Sequence, residues 1–254
     1  KLRKMGLCTY VGNKAYGTSL NEGAVQLISS NLTGEKGDTV KYYGILLPTD
    51  SPSYYPLICN LVKQIGYVSN FSTLFDSAIY ANTAFFDKFI EACGENEAFK
   101  IQQNLDAIVE CEEKICKLNN IIQTKDLAYP KFKSLSDKIE KNKNKIKKLF
   151  LSTQDLIITS FFNKEFKNLT SISRIEDYRK YLYSFQNLIG TADGYSFFND
   201  FYIQKMNELD EKYESLVGST ALIVKPRSKV SILFSSIKNL FAGSSRETEY
   251  QKQK

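Results

Sequence analysis

The chain has 254 residues, 43% apolar and 24% charged, with a net charge of +6. That supplies a core for one large domain or two small ones, and too little positive charge for a dedicated nucleic-acid binder. It contains no histidine, which excludes Ser-His-Asp and Cys-His catalysis and histidine-containing zinc sites within this chain.

Five cysteines occur, Cys8, Cys59, Cys93, Cys111 and Cys116, with no CxxC pair to suggest a zinc ribbon. They read as free thiols in a reducing compartment, and a cytoplasmic setting is expected. Cys111 and Cys116 lie five apart on an expected helix, about 140° around it, so they belong to different faces. No run of about 20 apolar residues is present, so no membrane span is expected. The chain starts at Lys1 with no apolar signal core behind it, which suggests a piece of a longer protein.

The first 95 residues mix strand and helix signals and are expected to form a small α/β part. Leu7 to Val11 is short and β-prone, Gly12-Asn13 is a turn signal, and Lys14 to Thr18 returns as a second strand. Ser19-Leu20-Asn21-Glu22 has capping-box spacing and opens a helix. Val40 to Leu47 reads as one strand ending at Pro48. Asp50 or Ser51 then caps a helix with Pro52 in its first turn, apolar at Leu57, Ile58, Leu61, Val62 and Ile65, and stopped by Gly66. A further helix is expected from Ser72 to Cys93, apolar at Phe75, Ile79, Phe86, Phe89 and Ile90, with Gly94 as its stop.

Residues 96–152 carry the clearest pattern. Ile101, Ile108, Ile115 and Ile122 recur every seven residues, with Leu105 and Leu118 broadening the stripe. Of the matching d positions, Asn104, Cys111 and Leu118, only the last is strongly apolar. That is a poor seam for a free parallel coiled coil and favours an antiparallel partner within the chain. Thr124 to Pro130 interrupts the pattern, and Phe132, Leu135, Ile139, Ile146 and Leu149 resume it, broken once at Asn142. Two amphipathic helices with a short connection predict an αα-hairpin.

Residues 153–242 are expected to complete a helical body. Leu156, Ile157, Ile158, Phe161 and Phe162 form a dense core patch. Ser173-Arg174-Ile175-Glu176 has capping-box spacing for a helix reaching Ile189 and stopping at Gly190. Thr191 to Gly194 is a loop, and a helix from Tyr195 to Val217 is apolar at Phe198, Phe201, Met206, Leu209 and Leu216. Ala221 to Lys225 is β-like, Ser228 to Phe241 is a short amphipathic helix flanked by lysines, and 243–254 reads as a disordered polar tail. The expected fold is mainly α: a helical body with a long antiparallel αα-hairpin and a small α/β N-terminal part.

Three features are candidate sites. Lys138, Lys141, Lys145 and Lys148 share one helical stripe, able to meet an acidic protein or an anionic membrane. Interleaved aromatics and arginine are missing from it, which argues against nucleic acid. The 228–241 helix suits either a membrane surface or docking on the body. Tyr16-Gly17-Thr18-Ser19, at the start of a helix, resembles the nicotinamide-binding strand of ADP-ribosyltransferases. That resemblance implies a transferase handling NAD or another nucleotide through Tyr16, Thr18 and Ser19. Yet the family's histidine has no counterpart, and Glu110-Cys111-Glu112 falls on the isoleucine helix. The carboxylate clusters Glu110, Glu112, Glu113 and Glu208, Asp210, Glu211 read as exposed helix faces. No metal or cofactor is expected. A non-enzymatic protein–protein interaction module is the leading expectation, of an effector type that can act inside a host cytosol. The transferase and a peripheral membrane-binding domain are the alternatives.

Overall fold

The computed structural model describes residues 2–126 and 128–218. Residues through Tyr213 form one compact unit; from Glu214 the chain counts as a second unit, described only over the last turn of the final helix. The elements are β1 (Leu2–Met5), β2 (Cys8–Val11), β3 (Lys14–Tyr16), α1 (Thr18–Thr33), β4 (Asp38–Tyr42), β5 (Ile45–Thr49), α2 (Pro56–Ser69), α3 (Phe71–Tyr80), α4 (Ala84–Cys93), α5 (Glu95–Thr124), α6 (Tyr129–Lys167), α7 (Ile172–Phe185), a 3-10 turn (Gln186–Leu188), β6 (Thr191–Ala192) and α8 (Phe197–Gly218). The protein is mainly α with one long helix pair, as the periodicity predicts. The expected strand at Ala221–Lys225, the 228–241 helix and the 243–254 tail lie outside the described residues.

The described residues include two antiparallel sheets of three strands each, ordered β1-β2-β3 and β4-β5-β6. The expected hairpin at Gly12-Asn13 is present, with Val11 opposite Lys14, and β1 adds a strand before it. Val40 to Leu47 is not one strand. It folds back at Tyr43-Gly44, whose φ values of 51° and 77° are the paired left-handed residues of a type I′ turn. The run of β-formers hid the turn, and Gly44 was its only chemical sign. β6 pairs with the β5 end of this hairpin, Ala192 opposite Ile45, so the expected loop at Thr191–Gly194 contains a strand that ties the late chain to the early sheet.

The helices around the hairpin base depart from expectation at their ends. The helix expected at Asp50–Pro52 starts at Pro56 instead, after Tyr55 in a left-handed conformation. Gly66 does not stop it: a Cβ there would lie 2.7 Å from the Phe71 ring, so the glycine lets α3 pack tightly against α2. The single helix expected over Ser72–Cys93 is two, broken at Ala81. Asn82 makes that break, its Oδ1 accepting from Ser77 Oγ at 2.7 Å and from the Ala84 N–H at 3.0 Å. The carbonyl of Ala81 freed there accepts the Gly6 N–H at 3.1 Å and docks the first β-hairpin. Ile79 therefore faces out rather than into the core. The cap of α7 is Ser171, two residues before the expected Ser173, and accepts from Arg174 N–H.

The core runs through Leu57, Ile58, Leu61, Val62 and Ile65 of α2, Phe85 and Phe89 of α4, and Ile157, Ile158 and Phe162 of α6, all fully buried. Leu156 and Phe161 of the expected patch are only half-buried. The boundary expected at residue 152 falls inside α6, which continues unbroken to Lys167. Beneath it lies a buried amide cluster. Gln154 exchanges two hydrogen bonds with the Gly190 backbone, at 2.9 and 2.8 Å, and donates to Tyr195 Oη. Asn60 donates to the carbonyls of Pro48 and Leu188. These side chains satisfy backbone groups that irregular chain at 188–190 would otherwise bury unpaired.

Candidate functional site

α5 and α6 are the two longest helices, about 45 and 58 Å at 1.5 Å per residue. They pair with one another, and their base packs on α1, α2 and α4. Ile101, Leu105 and Ile108 are fully excluded from water, and Cys111 and Ile115 nearly so. Leu118 and Ile122 toward the turn are half-buried. On α6, Leu135, Ile139 and Ile146 turn in, while Leu149 is half-buried and Phe132 is exposed. Asn142 escapes the seam by donating to the Lys138 carbonyl at 2.8 Å. Pro130 sits in the first turn of α6, where its missing N–H costs nothing.

With that seam set, Lys138, Lys141, Lys145 and Lys148 are all exposed. They fall within an arc of about 80° over about 15 Å of helix. None has an ion-pair partner among the described residues, whereas two α5 lysines are neutralised locally, Lys114 by Glu110 at 3.8 Å and Lys117 by Glu113 at 3.5 Å. Residues 129–150 hold eight lysines against two carboxylates, Asp137 and Glu140. That local excess of six is one of three basic stretches in the sequence: residues 1–16 and 219–254 are also net positive, and an acidic remainder offsets them. Such a face draws in anionic partners from beyond contact distance, and salt screens that attraction.

The second candidate set occupies the start of α1. Tyr16 ends β3 with Lys14 Nζ 4.9 Å from its ring centre. Gly17 takes φ 82°, and a side chain there would strike the Leu7 carbonyl and Gln102 at 2.7 Å. The expected local capping box is not formed. The cap is Asp106 of α5, accepting from the Gly17 N–H at 2.8 Å and the Ser19 N–H at 3.0 Å, and from Thr18 Oγ1 at 3.2 Å. Tyr16, Thr18 and Ser19 are thus adjacent, but the helix N-terminus between them already holds a carboxylate. An external anion has to displace Asp106 to bind there.

The carboxylate clusters separate in space. Glu110 and Glu113 are exposed, but Glu112 is buried on the inner side of α5. Burial pushes its carboxyl up to about 7. Tyr42 and Tyr43 lie close enough that its charge opposes their ionisation. Glu208 pairs with Lys205 at 2.6 Å and Asp210 with Arg179 at 2.6 Å. Among the described residues no group of His, Cys, Asp and Glu is arranged to hold a metal ion, and no helix is long and apolar enough to cross a membrane. The roles of Asp106 and Glu112 had no signal in the sequence beyond carboxylates on an apolar-striped helix. Comparison with protein-family models, with curated proteins and with solved structures finds no match to this chain.

Proposed function

We propose that this chain is a non-enzymatic interaction module that binds an acidic protein surface through the outer face of α6. The observation that carries this reading is the row Lys138, Lys141, Lys145 and Lys148, without ion-pair partners among the described residues, on a stretch of helix with eight lysines against two carboxylates. Rigid i, i+3/i+4 spacing matches the spacing of carboxylates along a second helix. A membrane is a weaker fit, because the apolar side of α6 already faces α5 and the body and leaves no stripe to insert. Duplex DNA is weaker still, with no arginine in the row. The thiol complement and lysine-rich composition are consistent with a reducing cytosol, a host cell's included.

The test is fluorescence anisotropy with a labelled Glu-rich helical peptide, run against anionic vesicles and duplex DNA. Changing the four lysines to glutamate should weaken peptide binding on the order of a hundredfold while leaving the melting temperature unchanged. Peptide affinity untouched by the charge reversal, or stronger binding to vesicles or DNA than to the peptide, overturns the reading.

A further inference from the structure

Away from the hairpin, a groove of about 330 Å³ opens between the C-terminal part of α6 and the start of α7. That is the small end of the range for ligand pockets, roughly 300–1,000 Å³. Its walls are aromatic: Phe161 from α6, and Tyr178 and Tyr181 from α7. The Phe161 and Tyr181 rings stand 5.6 Å apart, inclined at 48°, as two sides of an open angle. Both phenols are held by the fold, Tyr178 Oη donating to the Phe162 carbonyl at 3.0 Å and Tyr181 Oη to the Tyr67 carbonyl. The rings are therefore preset before any ligand arrives, and their hydroxyls are occupied elsewhere.

One carboxylate of the groove stands unpaired. Glu165 lines it and has no ion-pair partner among the described residues, and its charge reaches both Tyr178 and Tyr181. Asp177, a second carboxylate on the lining, pairs with Lys180 at 3.9 Å. Arg174, the one cation lining it, is turned onto the Asn168 carbonyl at 3.1 Å. Preset aromatic faces beside an unpaired carboxylate are the arrangement that attracts an organic ammonium. The ring quadrupole and the carboxylate both favour a diffuse positive charge, and methyl groups on nitrogen match the apolar walls.

We propose that the groove formed by Phe161, Glu165, Tyr178 and Tyr181 binds a methylated ammonium group, independently of the lysine face of α6. Choline-type small molecules and methylated lysine side chains share that chemistry. The experiment follows the aromatic proton resonances of the full chain during titration with choline, with a trimethyllysine peptide, and with 3,3-dimethylbutanol, the neutral isostere of choline. Saturable shifts of Phe161, Tyr178 and Tyr181 are expected with at least one ammonium probe, and affinity for the neutral isostere about tenfold weaker. The tighter of the two ammonium probes assigns the source. Glu165→Gln, which preserves shape, and Phe161→Leu, which preserves apolar volume, should each weaken binding severalfold with native-like spectra. The proposal is overturned if neither ammonium probe saturates, if the neutral isostere binds as tightly as choline, or if both variants bind unchanged.

Discussion

Asp106 closes the N-terminus of α1 from 87 to 89 residues further along the chain, accepting two backbone N–H groups and the Thr18 hydroxyl. The local residues with capping spacing do not perform this task, so the effects of substitution are reordered. Asp106→Ala should lower stability by about 1–2 kcal/mol in denaturant unfolding, and Ser19→Ala by less. Glu112 makes a pH prediction with a definite sign. Its folded carboxyl titrates near 7 because burial penalises the charge, while the unfolded chain titrates near the ordinary 4.5. Below both values the group is protonated in both states and imposes no penalty. Between about 4.5 and 7 the unfolded chain releases its proton first, so stability falls as pH rises, by on the order of 3 kcal/mol in all. Glu112→Gln should flatten that slope and be the more stable protein at pH 8. A wild-type curve flat across this window would show that Glu112 ionises freely in the fold.

Among the elements, the hairpin was the most legible in sequence because one repeat set its inner face. Isoleucine every seven residues on α5, and Leu135, Ile139 and Ile146 on α6, place the buried side and so assign the lysines to the outside. A charge at the centre of that seam is therefore severe. Ile108→Asp should cost more than about 4 kcal/mol by chemical denaturation, and Lys143→Asp, whose side chain pairs with Glu140 at the surface, within about 1 kcal/mol. Equal losses would mean that the register is wrong. Less legible were elements governed by distant partners. The Tyr43-Gly44 turn sits inside an apolar run, and the break at Ala81 depends on Asn82 and on the Gly6 N–H arriving from the first sheet. Gly66 reads as a stop, but its missing side chain makes room for Phe71. In the last two cases tertiary contact overrode a local signal.

At the scale of the molecule, the described chain up to Tyr213 is one compact unit and not a chain of separable parts. β6 pairs with β5, Gln154 holds Gly190, and α6 runs from the hairpin turn into the core without interruption. The groove on α6 and α7 was invisible in sequence for the same reason, since Glu165 and the rings of Phe161, Tyr178 and Tyr181 meet only when two helices pack. The cationic face, by contrast, follows from the hairpin alone, so everything proposed for it depends on which way α5 and α6 face. The native thiols report on this directly. Cys111 lies in the seam at 1% exposure, Cys116 is open to solvent, and burial pushes the thiols of Cys59 and Cys93 up to about 12 and about 11. Native-state alkylation read by mass spectrometry should modify Cys116 at least about a hundredfold faster than Cys111, with Cys111 reacting only through opening of the hairpin. Comparable rates at the two positions would contradict the packing of α5 against α6 and the outward orientation of the lysine row with it.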